Sequence, residues 1–201
     1  MFAWKGNIDK KSGQGDNFGM IVLIVALVIL AVIVIYLVAT YNSFVGLRNK
    51  AEEALSALDA HLKQRYDLIP NLVETVKGYA RHEEETLTRV VNARNQAMAA
   101  PAAGKGRAED ALSGSLKSLF ALGEAYPALK ADASFLDLQQ KLARLEDDIL
   151  NARKYYNAIA RSMNDKVQMF PSSLVAAAFH FQRLSYIEVS DDERRNAEVR
   201  F

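Results

Sequence analysis

The sequence has no cysteine, and only four prolines, three histidines and one tryptophan in 201 residues. Without cysteine there can be no disulfide, thiolate metal site, cysteine nucleophile or lipoprotein acyl anchor. Charge of one sign is missing too. Removing the N-terminal tail's three lysines and two aspartates from 25 basic and 24 acidic residues leaves 22 of each beyond the long apolar run. A nucleic-acid binder needs an excess of positive charge to displace counterions, so nucleic acid is not an expected partner. Nor is there a polybasic stretch for anionic lipid, because Arg48 and Lys50 are followed at once by Glu52 and Glu53.

Reactive constellations are equally sparse. His82 and Glu85 stand at i and i+3, the reverse of the Glu-x-x-His motif of carboxylate-bridged metal bundles. Such a site needs a second motif and two more inward glutamates, so the plainer reading is a solvated charged turn. A metal-dependent enzyme built on His82 and nearby glutamates is the least favoured alternative. His61 and His180 read as surface or hydrogen-bonded core residues. Gly104-Lys105-Gly106 lacks the strand and spacing of a phosphate loop. Ser172 and Ser173 have no His or Asp partner in the pattern and read as helix-capping residues. Arg153, Asn157 and Arg161 share one helical side, either a polar groove or, more simply, a solvated face. No catalytic residue, metal site or cofactor is expected.

What the chain does have is apolar sequence. Met20 to Ala39, MIVLIVALVILAVIVIYLVA, is twenty residues without a charge. At ~1.5 Å per residue this spans a hydrocarbon layer of ~30 Å. It exceeds the 7–15 residues or so of a signal-peptide core, so residues 18–41 are read as an uncleaved transmembrane helix contacting the bilayer through residues 20–39. Residues 1–17 read as a flexible tail. Lys5, Lys10 and Lys11 against Arg48 and Lys50 lean toward tail inside and domain outside.

Beyond the anchor the spacing is helical. Phe44, Leu47, Ala51, Leu55, Leu58, Leu62, Tyr66 and Ile69 step by three or four, and Leu72 to Met98 repeats the pattern until RHEEE interrupts it. After the Pro101–Gly106 loop a short helix turns Leu112, Leu116, Leu119 and Phe120 inward, and Pro127 stops it. From Ser134, read as an N-cap, Phe135, Leu138, Leu142, Leu145, Ile149, Ala152, Tyr156, Ile159 and Met163 alternate steps of three and four. A 3.5-residue repeat of this kind packs knobs into holes. Leu184, Tyr186, Ile187 and Val189 read as extended, and 190–201 as a charged tail. The expected fold is all-α: a transmembrane helix, an antiparallel up-and-down bundle of long coiled-coil-like helices over 42–189, and a short extended end.

The stretches RYDLIPNLVETVKGYA, YYN and FPS together resemble the LemA family of bacterial proteins, over about Thr40 to Val189. The resemblance implies an N-terminally anchored helical bundle in the bacterial inner membrane, with no established activity. Relatives include a magnetosome membrane protein, and others lie beside a membrane metallopeptidase of the HtpX type. The expected role is non-enzymatic: a self-associating membrane scaffold, or else an adaptor for such a protease or a signalling complex.

Pro70 stands inside the helical pattern, where a proline costs ~3 kcal/mol or more. Either one helix kinks there, which would make a rod of ~85 Å over 41–98, or the chain reverses at Asp67–Asn71; the reversal is the preferred reading, because it gives two helices of ~27–29 residues, about as long as the helix from Ser134 at the same rise per residue. Asp67 would cap the second of them, with Pro70 in its first turn. Tyr66, Asp67, Pro70 and Asn71 then form a membrane-distal corner and a candidate partner contact.

Overall fold

The computed structural model of the protein describes residues 9–101 and 104–187, with residues 9–17 as backbone only. Expectations for residues 1–8, Val189 and 190–201 lie outside these. The described residues form six helices and no strand: α1 Asp9–Tyr79, α2 Glu84–Ala99, α3 Lys105–Ala125, α4 Pro127–Lys130, α5 Ala133–Gln168 and α6 Ser172–Ala178. They fall into two compact units, one joining α1 as far as Leu47 to Asp165–Gln182, the other joining Arg48–Asn164 to the segment from Arg183. Helix α1 starts at Asp9, within the stretch read as a tail.

In the first unit every residue from Phe18 to Ala39 is exposed, and burial begins at Thr40. This part of α1 is long and apolar enough to cross a bilayer. Aromatic rings fasten α6 just beyond it. Phe181 stacks on Phe44 at 4.7 Å, and Tyr41 meets the edge of Phe179 at 4.8 Å. The Ser172 hydroxyl does not cap α6. It donates to the carbonyls of Lys166 and Met169, at the end of α5. Helix α6 closes with His180 in the left-handed region (φ 58°) and the Phe181 amide on the Ala176 carbonyl. That is a Schellman-type stop, which gives His180 a turn role.

In the second unit α1, α2, α3 and α5 alternate in direction. Tyr79, at the end of α1, donates to Asp132 at the start of α5, while Arg65 further back reaches Glu146. Tyr126 bonds Glu83 where Glu109 meets Tyr66, so α3 runs with α1. The chain does not reverse at Asp67–Asn71. It reverses at Arg81–His82, inside RHEEE, where the apolar stripe lapses. The stripe itself runs through the proline unbroken: Ile69, Leu72, Val76 and Ala80 are all at most 1% exposed. The helix follows the burial. At ~25 cal/mol per Å² of apolar area, that gain outweighs one strained position.

The α5 repeat packs as its spacing predicts, with one exchange: Arg153, not Ala152, takes the inner position between Ile149 and Tyr156. The N-cap also moves. Asp132 Oδ1 accepts the Phe135 amide at 2.8 Å, placing the cap two residues before Ser134.

Candidate functional site

Pro70 has no amide, so the carbonyl four residues back, on Tyr66, loses its helical partner. Arg94 of α2 supplies another: its Nε donates to the Tyr66 oxygen at 2.8 Å. The proline is therefore tolerated inside α1 by a side chain from the neighbouring helix.

One step away along α1 lies a fully buried charged group. Arg65 is 1% exposed and occupies the stripe between Leu62 and Ile69. Its guanidinium contacts Glu109 of α3 at 3.5 Å, Ser113 at 2.8 Å and Glu146 of α5 at 3.1 Å. Ser113 in turn donates to Glu146 at 2.8 Å. The Tyr66 hydroxyl donates to the second oxygen of Glu109. Burial, and then the bond given to Glu109, push the Tyr66 hydroxyl above its ordinary range, while the Arg65 charge pulls the other way. A buried glutamate needs such partners, because an uncompensated interior charge is strongly unfavourable. Three helices are thus tied at one level by charges that satisfy one another.

Beside this network is a cavity of about 730 Å³. Leu55, Leu58 and Leu62 give it an apolar wall, while Asp59, Lys105, Glu109 and Arg153 supply its charges. Arg153 is 5% exposed and 3.9 Å from Asp110. Ser185, Tyr186 and Ile187 close one side. They belong to an extended segment held by two asparagines of α5. Asn157 donates to the Ile187 carbonyl and accepts its amide, both at 2.9 Å. Asn164 does the same for Leu184, at 2.9 and 2.8 Å. Each amide group imitates a strand neighbour. The spacing fits: positions 157 and 164 are about 10.5 Å apart along a helix. Positions 184 and 187 are about 10 Å apart in extended chain.

The residues singled out in the sequence fare unevenly. Tyr66 is buried, its hydroxyl engaged, so it is not a corner and does not present its ring to a partner. Asp67 is exposed but pairs with Lys63 at 2.9 Å one turn back, as a mid-helix residue and not a cap. Pro70 and Asn71 are exposed on the same helix, and the Asn71 carbonyl accepts from Thr75. His82 lies in the turn before α2 and Glu85 bonds Arg89, so the two are not paired on a helix. Among the described residues no three His, Asp or Glu side chains converge as a metal would require. Arg65, Glu109 and Glu146 went unnoticed in the sequence. Their signal was register: Glu109 stands one helical step before Leu112, Leu116 and Leu119, on the face that should be apolar.

The family model described as the LemA family matches residues 54–201. Protein LemA of Metamycoplasma hominis is 27% identical over 159 residues, covering 76% of this chain and 71% of that protein. Magnetosome protein MamQ of Magnetospirillum gryphiswaldense is 23% identical over 204 residues, covering 88% and 74%. Magnetosome protein MamQ 1 of Paramagnetospirillum magneticum is 22% identical over 209 residues, covering 89% and 75%.

Proposed function

The chain belongs to the LemA family, and on that premise we propose that it is a non-enzymatic, single-pass inner-membrane protein that acts through protein–protein contacts as a homo-oligomeric scaffold. The observation that carries this reading is the bare circumference of the apolar run. From Phe18 to Ala39 no residue is covered by the other described residues, so its neighbours are lipid or other spanning segments, those of further copies among them. The saturated Arg65–Glu109–Glu146 network supports it, because charges that satisfy one another brace helices and are poorly placed for turnover. The likeness to proteins named for the magnetosome agrees with a part in an assembly. The soluble domain lies outside the cytoplasm in this reading, following the lysine count before the span.

Light scattering of the full chain in mild detergent tests the scaffold. A defined oligomer is expected, and monomer at every concentration would reject it. A second reading, an adaptor for a membrane protease of the HtpX type or a signalling complex, is favoured by the cavity between α1, α3, α5 and the extended segment. Its apolar wall with charges at the margin suits a segment of another protein. Cross-linking in membranes separates the two: self-links support the scaffold, and one heterologous partner supports the adaptor.

A further inference from the structure

In the first unit the turn from α5 to α6 carries large apolar side chains that none of the described residues covers. Phe170 is 79% exposed, Leu174 63% and Met169 61%. Isolated exposed apolar residues are ordinary, but contiguous ones mark a contact. Two observations identify the contact. The first is position. The Lys166 ammonium donates to the Ser43 hydroxyl at 2.5 Å and Phe179 meets Tyr41 at 4.8 Å, so the segment carrying the turn and α6 is pinned at both ends beside residues 41 and 43, just past the end of the apolar run. Thr40, next to Ala39, is already buried in this unit. Leu174 is only five residues from Phe179, about 7.5 Å of helical rise, comparable with the interfacial layer of about 5–7 Å on each side of the hydrocarbon. The second is polar satisfaction. The Ser172 hydroxyl donates to the Lys166 and Met169 carbonyls, and the Ser173 amide donates to Met169. Each of these bonds lowers the cost of bringing the loop into a medium poor in water.

We propose that this turn, led by Met169, Phe170 and Leu174, is immersed in the interfacial layer of the bilayer that Phe18–Ala39 crosses, giving the protein a second membrane contact beside its span. The proposal rests on reading that run as a bilayer span. It assigns the aromatic cluster at Tyr41, Phe44, Phe179 and Phe181 the task of holding the turn at that depth.

The test uses the full chain in phosphatidylcholine vesicles containing lipids brominated either near the headgroup or deep in the acyl chain. Replacing the one native tryptophan by Trp4→Phe clears the background. Single tryptophans are then introduced by Ile33→Trp, Phe170→Trp, Leu174→Trp and Asn71→Trp, with helicity checked by circular dichroism. The expected result is strong loss of emission at positions 170 and 174 with shallow bromine, strong loss at 33 with deep bromine, and none at 71. Quenching at 33 with none at 170 and 174 overturns the proposal and leaves the span standing. No quenching at 33 removes the span and the proposal together. An unquenched, blue-shifted emission at 170 that reddens as the chain is diluted in lipid assigns the turn to a second copy and also overturns it. Should Phe170→Trp fail to fold, the reading at Leu174→Trp decides.

Discussion

Arg94 Nε lies 2.8 Å from the carbonyl oxygen of Tyr66, the acceptor that Pro70 leaves without an amide. A residue on α2 therefore completes a hydrogen bond that α1 cannot make for itself, and the proline becomes a joint between two helices instead of an end.

Arg94→Met keeps the side-chain stem and removes the donor. It should cost about 1–3 kcal/mol, the penalty of an unmet polar group. In a Pro70→Ala background the amide at position 70 serves the Tyr66 carbonyl, so the same change should cost much less. Chemical denaturation of the four variants gives the coupling. Equal losses in both backgrounds would show that the Tyr66 bond is not what Arg94 contributes.

Glu109→Ala should destabilise the bundle by about 3–5 kcal/mol, because it strands part of the Arg65 charge in the interior. The paired replacement Arg65→Met with Glu109→Met should recover much of that loss, since matched apolar groups remove both desolvation penalties at once. Thermal unfolding checks the order of stabilities. A double variant weaker than Glu109→Ala would contradict it.

Asp132 accepts the Phe135 amide and the Tyr79 hydroxyl, and these bonds hold its carboxyl below the usual range. A depressed folded-state value means stability that is complete above the unfolded aspartate value, ~3.9, and is lost as pH falls through the lowered one. Asp132→Asn keeps a capping oxygen but no titration, so the slope of stability against pH below about 4 should flatten. The Tyr79 hydroxyl is raised by the same bond, so its contribution persists through neutral pH and disappears as pH rises through that raised value. Denaturant midpoints across pH, for both variant and parent, measure the change.

Asn157→Leu removes the donor to the Ile187 carbonyl and the acceptor of the Ile187 amide together. Hydrogen exchange at the Ile187 amide should accelerate about tenfold, the equivalent of one lost bond of ~1.4 kcal/mol. Leu184, held by Asn164, should respond less. Simultaneous release of both amides would mean that the segment lifts as one piece.

Gly114 lies on the exposed face of α3, and a Cβ there meets nothing within 4 Å. Gly114→Ala should add about 0.5–1 kcal/mol by helix propensity alone. At Gly123 a Cβ would lie 3.2 Å from the Phe135 ring, so Gly123→Ala should give no such gain. Melting temperatures of the two variants settle the contrast.

The apolar run, the inner face of α3 and nearly all of the α5 stripe were legible because burial at a fixed period needs no knowledge of the partner. What escaped was pairwise. Pro70 looked like a boundary because its cost is local, while its remedy, Arg94, arrives 24 residues later along the chain. Arg65 and Glu109 broke the apolar register separately and made sense only across two helices. Asp132 displaced Ser134 as the cap because its carboxylate also had Tyr79 to meet. Asn157 looked like a solvated residue, and its partner is main chain with no side-chain signature.

The asparagine clamp has an evolutionary corollary. Asn157 and Asn164 hold residues 184–187 by amides and carbonyls alone, so the position of that segment does not depend on what Ser185 and Tyr186 carry. Those two side chains line the cavity. Substitutions at Ser185 and Tyr186 can therefore reshape one wall of the cavity without disturbing the attachment that places it, so the cavity lining and the fold are free to vary independently.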